Sequence, residues 1–367
     1  MNAKYYPLIK LSRQAAVMKR RFTLPFKLLS SGFIRSESYY PEMPHKSRFR
    51  IAMELLGHIM RYGSIEWHYF SYGFDIKGLR DKNEYLDDNW FLWKSSMLNT
   101  VLPERDISCI LRDKRLFSDF LSIWGFESPK IIGELHGQHP NSEVLNRMTT
   151  TNGQYFVKPL DGQCGKGIFE VLVSDDVCIV NNKEVTRIEV GRMVLEDAQE
   201  GTYLVQEKVI QHPKLNEIYA NSINTVRLVT IYDKKNDAII PLSAILRIGV
   251  NGNVVDNWAV GGLVIGVNVE NGTLKEYGFY KHGYGTKVLS HPNTGMRFEG
   301  FEIPYWKEAV KKALALHRCL LPIMIIGWDI AITPQGPLFI EGNDNMEISL
   351  NQTGNKGLRK ELLSIIG

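Results

Sequence analysis

The sequence predicts an α+β protein with two strand-rich lobes preceded by a largely helical region. Two observations lead to this prediction. Runs with the period of two typical of strands fill much of residues 150–345, whereas runs with helical spacing concentrate in the first 125 residues. The helices and strands do not alternate regularly, as a doubly wound parallel sheet would require. With 367 residues, 44% of them hydrophobic, the chain is long enough to bury a large core in two or three lobes.

Residues 1–100 form a basic region that we predict to be largely helical. Residues 1–50 contain eleven Lys or Arg and two Glu, a net charge of +9. Because the whole chain has a net charge of +4, the remaining residues have a net charge of −5. Basic and large apolar residues mix between Met18 and Leu29. Two interpretations stay open: the segment contacts an anionic membrane surface or a lipid-linked glycan, or it is a solvated arm whose apolar residues pack on the body. We expect no nucleic-acid binding, because no recognised module accompanies the basic stretch.

Cysteine spacing and hydropathy favour a cytoplasmic protein. No stretch of about 20 apolar residues is present, and Lys10 and Arg13 interrupt any candidate signal sequence. The basic segment leaves open a peripheral location at the inner face of the membrane. The cysteines lack the spacing of a disulfide framework or a zinc site: Cys109, Cys164, Cys178 and Cys319.

A loop with Gly162, Gly165 and Gly167 lies between two β-rich runs of a small lobe that we place at residues 151–215. Glycines let backbone N–H groups wrap phosphate oxygens, and Lys158 and Lys166 add positive charge beside them. The loop is not a Walker A motif, because it lacks the following Ser or Thr and leads into a strand-like segment. The protein-kinase pattern is excluded as well, since HRD and DFG sequences are absent. Alone, the loop fits either a phosphate cradle or an ordinary glycine turn.

About forty residues later, an apolar strand-like segment runs into polar residues. Such a segment can hold the edge of an adenine through backbone hydrogen bonds, but taken by itself the pattern fits a plain core strand better. Glu217 or Asn216, slightly further on, is a candidate to hold a ribose. The candidate adenine-binding residues are Gln206, Glu207, Lys208 and Ile210.

Near the C-terminal end, in a large lobe predicted at residues 216–367, the pattern indicates a hairpin. Pro334–Gly336 predicts a three-residue loop, with glycine where a positive φ is needed, so that Thr333 faces Pro337. Counting back two residues at a time along both strands then places Asp329 opposite Glu341. Their Cβ atoms are expected about 5 Å apart.

The facing carboxylates of Asp329 and Glu341, with Asn343 on the same face, predict a metal site. Two such carboxylates repel each other unless a cation lies between them or one takes up a proton. Oxygen ligands of this kind suit Mg²⁺ or Mn²⁺. The alternative is a surface hairpin with solvated acids, which the upstream phosphate-cradle pattern makes less attractive.

Two arginines are the candidate catalytic residues. Arg227 and Arg247 each lie between hydrophobic neighbours in strand-like segments, where an unpaired guanidinium is costly to bury. Arginine makes bidentate contacts with carboxylate and phosphate groups, which suits an acid substrate and a transferring phosphoryl group. For Arg247 an ion pair across the sheet is an equally good explanation.

Taken in this order, the segments resemble the ATP-grasp superfamily. The resemblance implies a fold in which ATP lies between two strand-rich lobes, with the lysine-bearing strand and the glycine flap over the triphosphate. It also implies that the hinge holds adenine, and that Asp329, Glu341 and Asn343 hold two Mg²⁺ ions. Residues 101–150 resemble the start of the core, where a helix predicted from Asp113 to Gly125 brings Lys114 to a nucleotide phosphate.

A closer resemblance is to the sugar-transfer-associated ATP-grasp branch. It implies an ATP-dependent carboxylate-amine ligase that forms an amide through an acyl phosphate, joining an amino acid or another amine to a uronic-acid-type sugar in bacterial surface polysaccharide synthesis. Other readings are a phosphotransferase acting on a sugar or lipid-linked hydroxyl, and a non-catalytic nucleotide-binding module. The segments that carry the match are Ser222–Arg227, Val255–Asn257 with Gly261-Gly262, His291–Gly295 and Glu341–Asn345.

Three residues of these segments are candidates for the acceptor pocket: Asp256, Asn257 and His291. Asp256 and Asn257 also fit a simple turn before the following glycines, and a lone histidine is also commonly structural. For the metal site, we expect Asp329→Asn and Glu341→Gln to remove turnover while the protein still folds.

Overall fold

A computed structural model of the chain describes residues 6–101, 103, 105–136, 142–160, 169–175, 177–180, 183–197 and 201–366. Two antiparallel sheets and their covering helices make up the described structure. The predicted α+β class is therefore confirmed. The helices are α1 (Tyr6–Ser30), α2 (Arg48–Tyr62), α3 (Asp88–Ser96), α4 (Cys109–Arg112), α5 (Lys114–Ile123), α6 (Ser142–Thr150), α7 (Arg187–Asp197), α8 (Pro213–Asn216), α9 (Trp306–Cys319), α10 (Ser349–Gly354) and α11 (Arg359–Ile366).

The smaller sheet has six strands in the order β1-β6-β2-β3-β4-β5. Alternate side chains of these strands point into a core that also takes in Val144 and Met148 of α6 and Val190 of α7. The helices therefore cover one face of the sheet. The strands are β1 (Ile131–His136), β2 (Gly153–Pro159), β3 (Phe169–Ser174), β4 (Val177–Val180), β5 (Lys183–Val185) and β6 (Thr202–Glu207).

The larger sheet has seven strands in the order β11-β10-β9-β8-β7-β12-β13. Helix α9 packs on one face, and α10 lies against β8, β9 and β10. Because the sheet is covered on both faces, all nine residues of β12 are buried. The alternating pattern of this segment predicts a strand buried on one face only, and that prediction is wrong. The strands are β7 (Thr225–Asp233), β8 (Ala238–Ile248), β9 (Leu263–Val267), β10 (Leu274–Tyr280), β11 (Lys287–Val288), β12 (Ile325–Thr333) and β13 (Gly336–Asn343).

The helix predicted between Asp113 and Gly125 is confirmed as α5. Its N-terminus is capped by the Asp113 carboxylate, which accepts hydrogen bonds from the backbone N–H groups of Arg115 (2.8 Å) and Leu116 (2.9 Å). After its last turn Gly125 takes a φ of 73°, a value that favours glycine. The cap places Lys114 in the first turn, where its side chain reaches the smaller sheet.

The turn of the β12–β13 hairpin differs from the prediction. Thr333 pairs with Gly336 and not with Pro337, so the loop has two residues instead of three. Gly336 has a φ of 126°, so the expected need for glycine at this position is confirmed. The Thr333 hydroxyl also donates a hydrogen bond to the carbonyl of Gly336 (2.9 Å), which closes the shorter loop.

A one-residue bulge in β13 restores the predicted register beyond the turn. Ile330 pairs with Phe339, whereas the next pair is Asp329 with Glu341, so Ile340 is the extra residue. The predicted pairing of Asp329 with Glu341 is therefore confirmed, although the count that led to it assumed a longer loop and no bulge.

Buried and partly buried hydrogen bonds join the N-terminal helices to the C-terminal end of the chain. The Gln352 side chain accepts from the backbone N–H of Leu86 (2.8 Å) and donates to its carbonyl (3.0 Å). The Asp88 carboxylate accepts from the backbone N–H groups of Ile348 (3.0 Å) and Ser349 (2.9 Å). Apolar residues of both regions share one core around these bonds. The two regions consequently pack as one body.

Helix α1 contacts the rest of the protein through one side. Leu28 is fully buried, and Leu24 packs against the same core. Both of the interpretations that the sequence left open thus keep support, because only part of the apolar surface of α1 is covered. In the part of the chain that is described, no helix is both long enough and apolar enough to cross a bilayer.

A chain of hydrogen bonds runs through the core beside β12. The indole N–H of Trp328 donates to the Thr230 hydroxyl (2.8 Å), which pairs with Nδ1 of His317 (2.7 Å), while Nε2 of His317 lies 2.9 Å from the carbonyl of Ile323. With neutral His317 donating from Nε2 and accepting at Nδ1, every group in the chain is satisfied. Burial lowers the pKa of His317 to about 4.

The neutral imidazole predicts an acid-sensitive fold. Because the folded-state pKa of His317 lies below its ordinary value of about 6.5, its contribution is complete above that value and is lost as the pH falls towards 4, up to ~3 kcal/mol. We expect His317→Gln to lack this part of the pH dependence. Urea unfolding of both proteins at neutral pH and near pH 4 measures it. Parallel losses of stability in both proteins would contradict the assignment.

Candidate functional site

Charged side chains meet on one face of the larger sheet. Asp329 is opposite Arg227 in the β12–β7 pair and opposite Glu341 in the β12–β13 pair. Directly opposed residues of antiparallel strands point to the same face. Three neighbouring strands therefore present an arginine, an aspartate and a glutamate at one level, with Arg227 and Asp329 buried.

Asp329 is the counter-ion of both candidate arginines. Arg227 makes a bidentate contact, in which Nε donates to Oδ1 and Nη2 donates to Oδ2 (2.9 Å). Nη2 of Arg247 donates to Oδ2 as well (3.1 Å). The ion pair considered for Arg247 is thus present, and its partner lies on the predicted metal-binding face. This pairing offsets the cost of burying Arg227 and of partly burying Arg247.

Thr225 and Asp256 continue this network. The hydroxyl and the backbone N–H of Thr225 both donate to Oδ2 of Asp256, and the distance from the backbone nitrogen is 3.0 Å. Arg247 lies between them, with Nη2 donating to the Thr225 hydroxyl (2.7 Å) and Nε 3.4 Å from Oδ2 of Asp256. Asp256 therefore belongs to the same charged cluster as Asp329, and it is more than the simple turn residue that the sequence left open.

The two facing carboxyl groups have opposite electrostatic environments. Burial disfavours the charge of Asp329, but Arg227 and Arg247 outweigh burial and hold its pKa below the ordinary value. For Glu341, burial and the charge of Asp329 both raise the pKa. The Arg247 charge is opposed by burial, yet Asp256 and Asp329 raise its pKa. A proton or an added cation at Glu341 would relieve the repulsion between the two carboxyl groups.

These residues fit a hard cation in part. Among the described residues, no group of three or more His, Cys, Asp and Glu side chains is arranged to hold a metal ion. A cation here would have the oxygens of Asp329 and Glu341 and the amide oxygen of Asn343, whose Nδ2 donates to the carbonyl of Gly327 (3.4 Å). So small a protein ligand set suits Mg²⁺, which usually keeps waters and takes further oxygens from a phosphate substrate.

Lys158 of the smaller lobe faces this cluster, and Lys114 at the start of α5 lies beside it. Lys158, in β2, is half-buried, and its pKa falls to about 8 because burial and the charge of Lys114 outweigh the opposing effect of Glu341. Lys114 extends to the end of β2, where its Nζ donates to the carbonyls of Leu160 (2.9 Å) and Pro159 (3.3 Å). The lysines are consequently held where the glycine loop begins. The other candidates of that loop, Gly162, Gly165, Lys166 and Gly167, lie outside the described residues.

A cavity of about 200 Å³ opens beside the predicted hinge. Lys208 and Ile210 line it, together with Gln154 and Glu170 of the smaller sheet and Asn216 of α8. The backbone N–H of Lys208 donates to the carbonyl of Gln154 (2.7 Å), and its Nζ lies 2.6 Å from Oε1 of Glu170. The predicted hinge therefore lies beside a partly open cavity, and adenine binding there stays a prediction.

The other hinge candidates are less directed at this cavity. Gln206 is buried in β6, between β1 and β2. The Glu207 carboxylate pairs with Nζ of Lys130 (2.6 Å), and Glu217 is exposed just after α8. Asn216, the other ribose candidate, lines the cavity and accepts a hydrogen bond from Nε2 of Gln211 (2.8 Å).

Asn257 and His291 make contacts typical of loop anchors. The Asn257 side chain accepts from the backbone N–H of Ala259 (2.8 Å) and so caps a short turn before Gly261. Nε2 of His291 lies 2.9 Å from the carbonyl of Gly249, and burial lowers its pKa. The turn that the sequence allowed at Asn257 is present. Contact of either residue with a substrate stays a prediction.

Sequence reasoning missed two further parts of the site. Asp344 accepts a bidentate contact from Arg112, with distances of 3.2 Å from Nε and 2.6 Å from Nη2, which joins the end of β13 to α4. Thr225 bridges Arg247 and Asp256. The signal for Thr225 was its position two residues before Arg227, since residues so spaced in a strand share one face. For Arg112 the local sequence gave no comparable signal.

The chain is similar to known proteins in sequence and in structure. The sequence model of a family described as "Sugar-transfer associated ATP-grasp" matches residues 95–366. No curated protein sequence matches the chain.

Among solved structures, D-alanine–D-alanine ligase from Bacillus anthracis is 16% identical, with a TM-score of 0.40 over 70% of this chain and 68% of that one. L-amino acid ligase from Bacillus licheniformis is 14% identical, with a TM-score of 0.41 over 70% of this chain and 46% of that one. D-alanine–D-alanine ligase from Helicobacter pylori is 13% identical, with a TM-score of 0.40 over 72% of this chain and 62% of that one. The matched region therefore spans about half of the L-amino acid ligase and about two thirds of the others.

Proposed function

The chain belongs to the sugar-transfer associated ATP-grasp family, and from that membership we propose that it is an ADP-forming carboxylate-amine ligase. The observation that carries the proposal is the cluster of Asp329, Glu341, Arg227 and Arg247 on the larger sheet, which Lys158 faces from the smaller one. A ligand bound between the lobes would contact charges of both signs. Such an arrangement suits a triphosphate with its cations on one side and a carboxylate acceptor on the other.

ATP would bind with its phosphates near the lysines and its base near the hinge. Lys158 and Lys114 would contact phosphate oxygens, and the flap residues of the glycine loop would cover them. The cavity beside Lys208 and Ile210 would take the adenine, with backbone groups of the hinge at its edge. Glu217 or Asn216 would hold the ribose.

Asp329, Glu341 and Asn343 would hold Mg²⁺, or Mn²⁺ in its place. When bound, the metal neutralises phosphate charge and orients the γ-phosphoryl group. The residues themselves determine how the site accepts it. The Glu341 carboxyl would lose any proton that it carries, since a metal ligand must be deprotonated. Asp329 would keep its contact with Arg227 through at least one oxygen.

The proposed chemistry has two steps that the arginines can serve. A carboxylate oxygen of the acid substrate attacks the γ-phosphorus, the bond to ADP breaks, and an acyl phosphate forms. The amine then attacks the acyl carbon, and phosphate leaves with the former carboxylate oxygen, while the amine loses a proton to solvent. Arg227 and Arg247 would orient the carboxylate and stabilise the charge of the transferring phosphoryl group.

We further propose that the acid is a uronic-acid-type sugar, that the amine is an amino acid or a related amine, and that the product belongs to bacterial surface polysaccharide synthesis. The description of the family as sugar-transfer associated supports this proposal. Asp256, Asn257 and His291 would line the acceptor pocket, and only Asp256 is joined to the charged cluster through the contacts described above. A cytoplasmic protein would meet both ATP and nucleotide sugars.

Isotope transfer tests the reaction type. The protein is incubated with ATP, Mg²⁺ and sugar acids labelled with ¹⁸O in the carboxylate, each with and without a panel of amino acids. A ligase releases ADP only when both partners are present, and the phosphate carries one labelled oxygen. A stable phosphorylated sugar with unlabelled phosphate would contradict the ligase proposal and indicate a phosphotransferase. Tight ATP binding without turnover across the panel would leave only a nucleotide-binding module.

Lys158→Ala is expected to weaken ATP binding by about ten- to a hundredfold, because a charged hydrogen bond to phosphate is lost. With the wild type, affinity should also fall above about pH 8, where the free Lys158 loses its proton. Isothermal calorimetry at neutral pH and near pH 9 measures both effects. Lys183→Ala, an exposed lysine on β5 of the same sheet, is the matched control and should bind like wild type. Equal affinities of the two variants would remove Lys158 from the phosphate site.

A further inference from the structure

Helix α1 carries apolar residues on two different faces. Val17, Leu24 and Leu28 face the body of the protein, and Leu28 is completely buried. Five other large apolar residues point outward, with between 51% and 76% of each side chain exposed. They are Leu11, Met18, Phe22, Phe26 and Leu29.

The exposed residues form a continuous stripe. At 3.6 residues per turn, the five side chains fall within an arc of about 80°, centred about 140° away from the buried face. The same spacing places Ala15 in the stripe and puts Gln14 and Lys19 on its two flanks. Isolated exposed apolar residues are normal on protein surfaces, but an aligned row of five on one helix marks an interaction surface.

The charge of α1 indicates what covers this stripe. The helix contains six basic residues and no acidic residue, within a segment of net charge +9. A second copy of the chain would bring an equally basic helix against it, which is unfavourable at close range. An anionic surface is complementary instead. The basic residues of α1 are Lys10, Arg13, Lys19, Arg20, Arg21 and Lys27.

Helix α2 repeats the pattern on a smaller scale. Phe49, Met53 and Met60 are each more than half exposed, on the side away from buried Leu55. The helices touch at Gly63, where an added Cβ would lie only 2.9 Å from a methyl carbon of Val17. Two adjacent helices thus each present apolar side chains to the surroundings.

We propose that α1 is an interfacial helix that docks the protein on an anionic membrane. Its apolar stripe would enter the boundary between headgroups and acyl chains, and its lysines and arginines would contact lipid phosphates. Docking of this kind needs no spanning segment, and none of the described helices is long and apolar enough to be one. The inference rests on α1 and does not depend on the proposed ligase activity.

Co-sedimentation of the full chain with vesicles tests the proposal. Phosphatidylcholine vesicles with and without phosphatidylglycerol are compared at low and high salt. We expect binding to the anionic vesicles alone, weakened by salt, and weakened at least about tenfold by Phe22→Ser with Phe26→Ser. Lys19→Gln with Arg20→Gln should also weaken it. The matched control is Ile188→Ser, at an 86% exposed position of α7 in the other lobe, which should bind like wild type.

Three results would overturn the proposal. The first is a wild-type protein that stays in the supernatant with anionic vesicles. The second is equal binding by the wild type and the Phe22/Phe26 variant, with unfolding midpoints showing that both are folded. The third is a concentration-dependent dimer in sedimentation velocity, without lipid, that this variant loses, since a second copy would then cover the stripe.

Discussion

Glu341→Gln is expected to lower turnover of ATP by about three orders of magnitude while leaving the free energy of unfolding unchanged or slightly higher. A metal ligand is lost, because a neutral amide replaces a carboxylate at the centre of the proposed Mg²⁺ site. The metal-free fold is unaffected for a separate reason. Burial and Asp329 raise the pKa of Glu341, so the folded protein favours the protonated acid, which glutamine imitates.

The sign of the pH effect makes this prediction sharper. A carboxyl group with a raised pKa stabilises the fold below its ordinary pKa, and that contribution is lost as the pH rises through the folded-state value. The wild type therefore loses this contribution as the pH rises, whereas the glutamine variant has no charge to bury. ADP release and urea unfolding at neutral pH measure the two effects. The control is Glu308→Gln, near the turn of the same hairpin, with no expected change. Full activity of Glu341→Gln would dismiss the metal assignment.

Asp329→Asn is expected to destabilise the protein by about 3–5 kcal/mol and to remove turnover as well. Asp329 neutralises the buried guanidinium of Arg227 and pairs with Arg247, so the variant leaves both without their shared counter-ion. The sequence predicts that such a variant still folds, and we now expect it to fold with this lower stability. Asp329→Asn should therefore lower the free energy of unfolding much more than Glu341→Gln, although both carboxylates belong to the proposed metal site.

Urea unfolding of single and double variants measures this difference. Adding Arg227→Met to Asp329→Asn removes one unpaired charge and should recover part of the lost stability, as a double-mutant cycle detects. The wild-type contribution should persist above the ordinary pKa of an aspartate, about 4, and fade below it, because the pairing depresses the pKa of Asp329. An Asp329→Asn protein as stable as Glu341→Gln would show that the arginines do not depend on this carboxylate.

Local patterns were sufficient to predict the strands, the hairpin and the acidic pair. The period of two indicates which residues share a face, and the pairing of Asp329 with Glu341 that it predicted is confirmed, although the bulge at Ile340 interrupts the period in β13. The pattern could not reveal the turn. Counting from a three-residue loop and counting from a two-residue loop with a bulge at Ile340 give the same partner, so one error cancelled the other.

Partners far apart in the chain were beyond such patterns. Arg227 and Asp329 are 102 residues apart, and only the pairing of β7 with β12 brings them together. The same holds for Lys158 and Glu341, which lie on different sheets. Composition also showed that basic and apolar residues mix in α1, but it could not show which of them pack inward. Which side of a helix is buried depends on the elements that pack against it, and the sequence of the helix does not identify those elements.

The hydrogen bonds of Gln352 and Asp88 between the N-terminal helices and the C-terminal end fix the orientation of the N-terminal helices relative to the candidate site. Because these bonds are buried or partly buried and lie beside one apolar core, the N-terminal helices cannot move independently of the C-terminal end. If α1 lies flat on a bilayer as proposed, the candidate site is held at one height and one tilt above the membrane. A lipid-borne or membrane-proximal acceptor would then approach from a constant direction.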